Sequence, residues 1–241
     1  MTYFRNTPFF PYKFGETEDY TLHQDLGAYV DLVDQVRNNQ SFYQEYTILD
    51  GDRPDNLSFK LYGDDLYYWT FFLMNENLRK QGWPITNQKL FELVKTERNN
   101  TVLTSREDLT SKFRVGEEVI GTQSGAIGTV VKRRLDLGQI IVEGVQNFVA
   151  GEEVYNIIDG EVTAVEIEGA VEQFNAVHHY EDADGNLTDI DPYTGPGAEL
   201  VAISYYDRYV RQNDSLKEII VIKPNVIGAV FEEFQNAMAE A

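Results

Sequence analysis

The stretch with the most reactive side chains is His178-His179, followed by Glu181, Asp182 and Asp184. These residue types ligate metals, but neighbouring side chains on a strand point to opposite faces, so the two imidazoles are not expected to share one ion. A solvated hairpin without metal is the expectation there. Asp182-x-Asp184-Gly185 misplaces its glycine for a calcium loop. Gly121-x-x-Ser124-Gly125-x-x-Gly128 lacks the lysine and following helix of a phosphate loop, so these read as turn glycines, and Ser124 sits in no nucleophile elbow. The forty Asp plus Glu allow so many carboxylate pairs that no glycosidase pair can be singled out. With no Cys there is no thiolate nucleophile, disulfide or cysteine zinc site. A non-enzymatic protein, with no catalytic residues and neither metal nor cofactor, is expected.

Twenty Lys plus Arg leave a net charge of −20, which opposes nucleic-acid binding and repels anionic membranes. Basic protein faces are the fitting partners, unless the excess serves solubility alone. Fifteen Tyr and fourteen Phe supply both core and contact material. The first residues lack the pattern of a signal peptide, and no apolar run reaches about eighteen residues, so a soluble protein made in the cytoplasm is expected.

An α+β chain follows from the elements. Residues 3–14 pack aromatics between Pro8 and Pro11, which forbids a helix and suggests an extended arm. Its Phe4, Phe9, Phe10 and Phe14 should lie on the chain's own body or on a neighbour. Leu22, Leu26, Tyr29, Val30, Val33 and Val36 have the spacing of one amphipathic helix. Tyr46–Leu49 reads as a strand and Asp50-Gly51-Asp52 as a turn with Gly51 at positive φ. A helix starts at Pro54, with Leu57, Leu61 and Tyr62 inward, and ends at Gly63. Asp64 or Asp65 caps a second helix to about Met74, with Leu66, Trp69, Phe72 and Leu73 inward. Residues 86–94 look like a further capped helix burying Leu90, Phe91 and Val94, where a closing strand would otherwise be expected.

Phe113-Arg-Val-Gly-Glu-Glu-Val and Phe148-Val-Ala-Gly-Glu-Glu-Val are two copies of one pattern, among short strands that suggest an SH3-like antiparallel module. Val171–Tyr180 should pair with Leu187–Ile190 around Asp184-Gly185. A strand from Glu218 and a helix from Pro224, with Ile227, Val230, Phe231 and Phe234 on one face, close the chain. The expected division is 1–45 arm and helix, 46–100 strand and helix pair, 110–170 β insert, and 171–241 hairpin, loop, strand and helix.

The strand-helix-helix order, the Gly51-Asp52 turn, Tyr62-Gly63-Asp64 and Asn75 together resemble the LysM module, and most of all the LysM-like units of phage tail proteins. Adding the Pro8-Phe9-Phe10-Pro11 arm, Gly82-Trp83-Pro84 and the segment from Asn213 to Pro224, the chain resembles the baseplate wedge protein family of T-even-like contractile-tailed phages (gene product fifty-three), over about residues 1–90 and 200–241. That resemblance implies a virion subunit of the tail baseplate, assembled in the host cytoplasm, which joins wedges around the hub in a six-fold assembly. It implies as partners the long wedge-bridging subunits and the sheath-initiator subunit. The implied protein contacts are Phe4, Phe9 and Phe10 of the arm, Tyr67, Tyr68 and Phe71 of the LysM-like unit, and Phe231 and Phe234 of the last helix. The alternative is a peptidoglycan- or chitin-binding LysM module dependent on Asp52 and Asn75. A cell-wall hydrolase ranks third.

Overall fold

The computed structural model describes residues 9–13, 20–24 and 40–240. In chain order its elements begin with β1 (Phe9–Tyr12), β2 (Thr21–Gln24), β3 (Tyr43–Thr47), α1 (Pro54–Tyr62), α2 (Trp69–Met74) and α3 (Glu76–Gln81). There follow α4 (Asn87–Glu97), β4 (Thr101–Thr104), β5 (Glu118–Gly121), β6 (Ile127–Arg134), β7 (Gln139–Val142), β8 (Glu153–Ile158), β9 (Glu161–Glu166) and β10 (Gly169–Glu172). The last are β11 (Val177–Glu181), β12 (Leu187–Thr188), β13 (Val201–Ser204), α5 (Tyr205–Ser215), β14 (Glu218–Ile222) and α6 (Ile227–Glu240). The fold is mixed α and β with antiparallel sheets. No helix among the described residues is long and apolar enough to cross a membrane.

The chain divides into two compact units, one of residues 1–86 and 213–241, the other of 87–212. The expected segment 46–100 is thus parted after Thr86, 110–170 falls wholly in the second unit, and 171–241 is parted after Gln212.

In the first unit, Gly51 takes φ 88° in the turn after β3, and Gly63 at φ 75° ends α1 with its N–H on Phe59 O. Both conformations suit glycine because they lack a Cβ penalty. Arg53 holds the N-cap position of α1 without a side-chain cap. The expected second helix comes in two pieces, a single 3-10 turn at Asp65–Tyr67 capped by Asp64, and then α2. The strand absent from residues 78–98 is β14, which pairs with β3 from Glu218↔Thr47 to Ile222↔Tyr43. The partners lie 171 positions apart, so the β-α-α-β circuit closes only after the whole second unit has been threaded. Ile48, Leu57, Phe71, Leu78, Leu216, Ile219 and Val221 form the core beneath that pair.

Residues 21–24 form β2, paired with β1, so Leu22 belongs to a hairpin and not to the expected helix. The rest of that expected helix, and Phe4 and Phe14 of the arm, lie outside the described residues.

In the second unit a seven-stranded sheet runs β10-β4-β7-β6-β5-β8-β9 over a core that includes Leu103, Phe113, Val119, Ile140, Phe148, Val154 and Ile167. The sequence repeat is a structural repeat. Gly116 N–H and Gly151 N–H donate to Val130 O and Ile167 O, and Val130 N–H and Ile167 N–H donate back to Glu117 O and Glu152 O. Each copy is therefore a tight turn that feeds its strand, β5 or β8, into the sheet. Val171 pairs with Val102 at the sheet edge, not with 187–190 as expected, and β11 alone meets β12 around Asp182–Asn186. That loop is organised by Asp182, whose carboxylate accepts the N–H of Asp184 and of Asn186. Leu90 and Val94 of α4 are buried, but Phe91 stays 41 % exposed, edge-on to Phe174 and Tyr206.

Candidate functional site

The hairpin β1–β2 carries the most exposed aromatic surface among the described residues. Alternation puts Phe10, Tyr12 and His23 on one face, with ring centroids 6.1 to 6.4 Å apart, and Phe9, Pro11 and Leu22 on the other. Phe9 is 65 % exposed, Tyr20 70 % and Leu22 73 %. A hairpin of four residues per strand is marginal in water by itself, and this one is apolar on both faces. Such an element gains order when another surface covers it.

The other expected contact residues divide. Tyr67, Tyr68 and Phe231 are half-buried, and Tyr67 meets Phe231 edge-on at 5.5 Å. Phe71 is fully buried and stacks on Tyr62, so it is not a contact surface. Its helix is nearly enclosed, with Trp69, Thr70, Phe71, Leu73 and Met74 buried and Phe72 half-buried. Phe234 is also buried, 4.5 Å from Trp69, so the apolar face of α6 is spent on the chain's own body. Leu66, expected inside, is exposed.

The polar signature residues of the helix pair serve the fold. Asn75, 5 % exposed, acts as a piece of backbone: its Nδ2 donates to Phe71 O and Ile220 O, and its Oδ1 accepts from Ile220 N–H. It thereby fastens α2 to β14. Asp52 O accepts the Trp83 indole N–H at 2.7 Å, and Trp83 packs on Phe71 and Phe72. Gly82-Trp83-Pro84 thus returns the chain to the turn that precedes α1. Asn75 has no free polar surface for glycan recognition, whereas the Asp52 carboxylate stays partly exposed, with Leu49 N–H 3.4 Å and Lys60 Nζ 3.9 Å from its Oδ2.

The paired histidines behave otherwise than strand alternation predicts. A bulge between Val177 and His179 turns both rings to one side, with Nδ1 of each 2.9 Å apart. Arg208, always a donor, bonds His178 Nε2, so His178 carries its proton on Nδ1 and donates it to His179 Nδ1. His179 Nε2–H then donates to Glu181, which Arg211 grips at 2.6 and 2.7 Å. Burial first, then the charges of Arg208, Arg134, His179 and Arg98, push the His178 pKa down to about 4. The chain of bonds links β11 to α5 through a neutral His178. Among the described residues no group of three or more His, Asp or Glu is gathered so as to hold a metal ion.

Two features are not read from the sequence. Phe59, 65 % exposed on the outer side of α1, lines a recess of about 490 Å³ with Asp55, Asn56 and Asp65. Its signal is a phenylalanine off the Leu57–Leu61 stripe. Glu152, wholly buried, accepts four hydrogen bonds, from the N–H groups of Gln123, Ser124 and Val149 and from Ser124 Oγ. Gly121 makes room for this nest, since a Cβ there would collide with Ser124 Oγ and lie 2.7 Å from both carboxylate oxygens.

No protein-family model matches the chain, and no curated protein matches it.

Proposed function

We propose that this chain is a structural subunit that holds protein neighbours together, of the baseplate wedge kind found in contractile phage tails. On this reading β3, α1, α2 and β14 form a LysM-like unit that frames an inserted second unit, whose β module, about residues 110–170, is of SH3-like size. The observation that carries the reading is the β1–β2 hairpin, apolar on both faces and exposed. Its rings are anchors of the type that dominates protein interfaces, where a strong position costs about 2 kcal/mol or more on truncation. The split β-α-α-β circuit and the internal use of the Asn75 side chain favour a scaffold over a glycan receptor.

The test is co-expression of the full chain with the sheath-initiator and long wedge-bridging subunits of one contractile tail. A stoichiometric complex is expected, and Phe9→Ser with Phe10→Ser should weaken it at least about tenfold while leaving the melting temperature unchanged. A second reading, glycan binding, is favoured by the exposed Phe59 among Asp55, Asn56 and Asp65, a platform on which a sugar ring could stack. Retention on purified peptidoglycan that is lost in Phe59→Ala, with no complex formed, would replace the first reading by the second.

A further inference from the structure

Strands β6, β5, β8 and β9 lie side by side, and their registers fix which side chains share a face. Val119, Val154 and Val165 point one way, into the core. The opposite face carries Ile127, Ile120, Tyr155 and Ala164 in one row across the four strands, with Ile157 beside Val162 in the next row. This face is left in solvent: Ile127 is 52 % exposed, Ile157 60 % and Val162 65 %, while Ile120, Tyr155 and Ala164 are half-buried. A contiguous apolar patch of that kind marks an interaction surface.

Carboxylates flank the row on both sides. Glu118 stands two residues before Ile120 on β5 and so shares its face. On the other side Glu153 and Glu166 are directly opposite each other across β8 and β9, an arrangement of like charges that is destabilising by itself. Among the described residues no cation lies within 4 Å of any of the three. The patch is therefore apolar in the middle and negative, without counter-charge, at its margins.

We infer that this face is a docking surface for a basic amphipathic helix of a partner protein. An apolar stripe on such a helix covers the isoleucines, Tyr155 and Val162, and lysines or arginines along its flanks reach Glu118 on one side and the Glu153–Glu166 pair on the other. The dimensions agree, since four strands span about 14 Å and a helix with its side chains is about 10–12 Å across. An added strand at the β9 edge fits less well. Ala164 O already accepts Lys112 Nζ, and Glu166 spends its N–H on Glu107 and its C=O on Ser105 Oγ. A second copy of this chain is disfavoured by its net charge of −20. The surface is distinct from the β1–β2 hairpin, so the inference stands apart from the baseplate reading and no tail protein enters its test.

The test is titration of the isotopically labelled full chain with an acetylated and amidated helical peptide of about fifteen residues, leucines on one face and lysines on both flanks, followed by amide NMR. Saturable shifts centred on Ile120, Ile127, Tyr155, Ile157 and Val162 are expected. A peptide of the same composition, reordered so that the leucine stripe is lost, should bind at least about tenfold more weakly, and one with glutamate in place of lysine should give no response. Ile157→Ser with Val162→Ser, both exposed changes, should weaken binding at least about tenfold with the melting temperature unchanged. Glu153→Gln with Glu166→Gln should weaken it and reduce its dependence on salt, whereas Glu199→Gln, in the loop before β13, should alter neither. Shifts spread over the acidic surface or centred on β1 and β2, equal binding of the reordered peptide, no saturable response on the four strands, or an Ile157-dependent dimer of the chain would each overturn it.

Discussion

At the residue scale, polar groups that look chemically active prove to be fasteners. Asn75 replaces backbone hydrogen bonds between α2 and β14. Asn75→Leu removes all three and leaves the half-buried Ile220 N–H and C=O without their partner, so a loss of about 1–3 kcal/mol is expected in urea unfolding. Glu152 is a second fastener. Burial alone would raise its carboxyl, but the hydrogen bonds from Ser124, Val149 and Gln123 outweigh that and hold it below the ordinary 4.5. Its folded value is depressed, so its contribution is complete above pH 4.5 and is lost as pH falls through the folded value. Glu152→Ala should cost about 2–4 kcal/mol and flatten stability against pH below that point. His178 acts in a higher window. Its folded value of about 4 lies below the ordinary 6.5, so the unfolded chain binds the extra proton first and stability falls as pH drops from 6.5 towards 4. Replacing His178 by Asn should remove that slope, on the order of 1–2 kcal/mol after solvent screening, as read from unfolding at a series of pH values.

At the element scale, what could be read from the sequence was what is decided locally. Gly51, Gly63 and Asp64 announce their turns and caps because their conformations depend on near neighbours. The partner of β3 could not be read, because its register with β14 is set by burial of Ile48, Ile219 and Val221 across 171 positions. Helix α5 had a legible start that periodicity alone passes over: Ser204 and Asp207 exchange backbone N–H bonds in a reciprocal cap. Ser204→Ala should therefore cost about 1 kcal/mol and fray α5, seen as faster amide exchange in its first turn. Spacings of three and four extended a helix back to Leu22, where two strands with prolines and aromatics instead pair. The contact residues divided for a physical reason too. Phe9 and Phe10 stand on a two-stranded hairpin that cannot bury both faces, whereas Phe71 and Phe234 belong to helices packed by Tyr62 and Trp69. Phe71→Ala is accordingly a core mutation, expected to cost about 3–5 kcal/mol in unfolding without selectively affecting binding.

At the scale of the whole molecule, the second unit is an insertion whose two ends meet. Ile85 N–H donates to Asn213 Oδ1 at 2.9 Å and Asn213 Nδ2 to Ile85 O at 3.0 Å, so the chain leaves and re-enters the first unit at nearly one point. Close termini are what tolerated domain insertion requires. Replacing residues 87–212 with a short glycine-serine linker should leave a first unit that unfolds cooperatively, and residues 87–212 should fold when made alone; a molten product from either would mean the units depend on each other. The proposed clamp rests on the β1–β2 hairpin of the first unit. Hydrogen–deuterium exchange of the amides of β1 and β2 tests it most directly, measured on the free chain and on the chain mixed with the proposed sheath-initiator and wedge-bridging partners. Fast exchange when free and strong protection in the complex is the expected result; equal exchange in both, with protection appearing elsewhere or nowhere, would contradict the clamp.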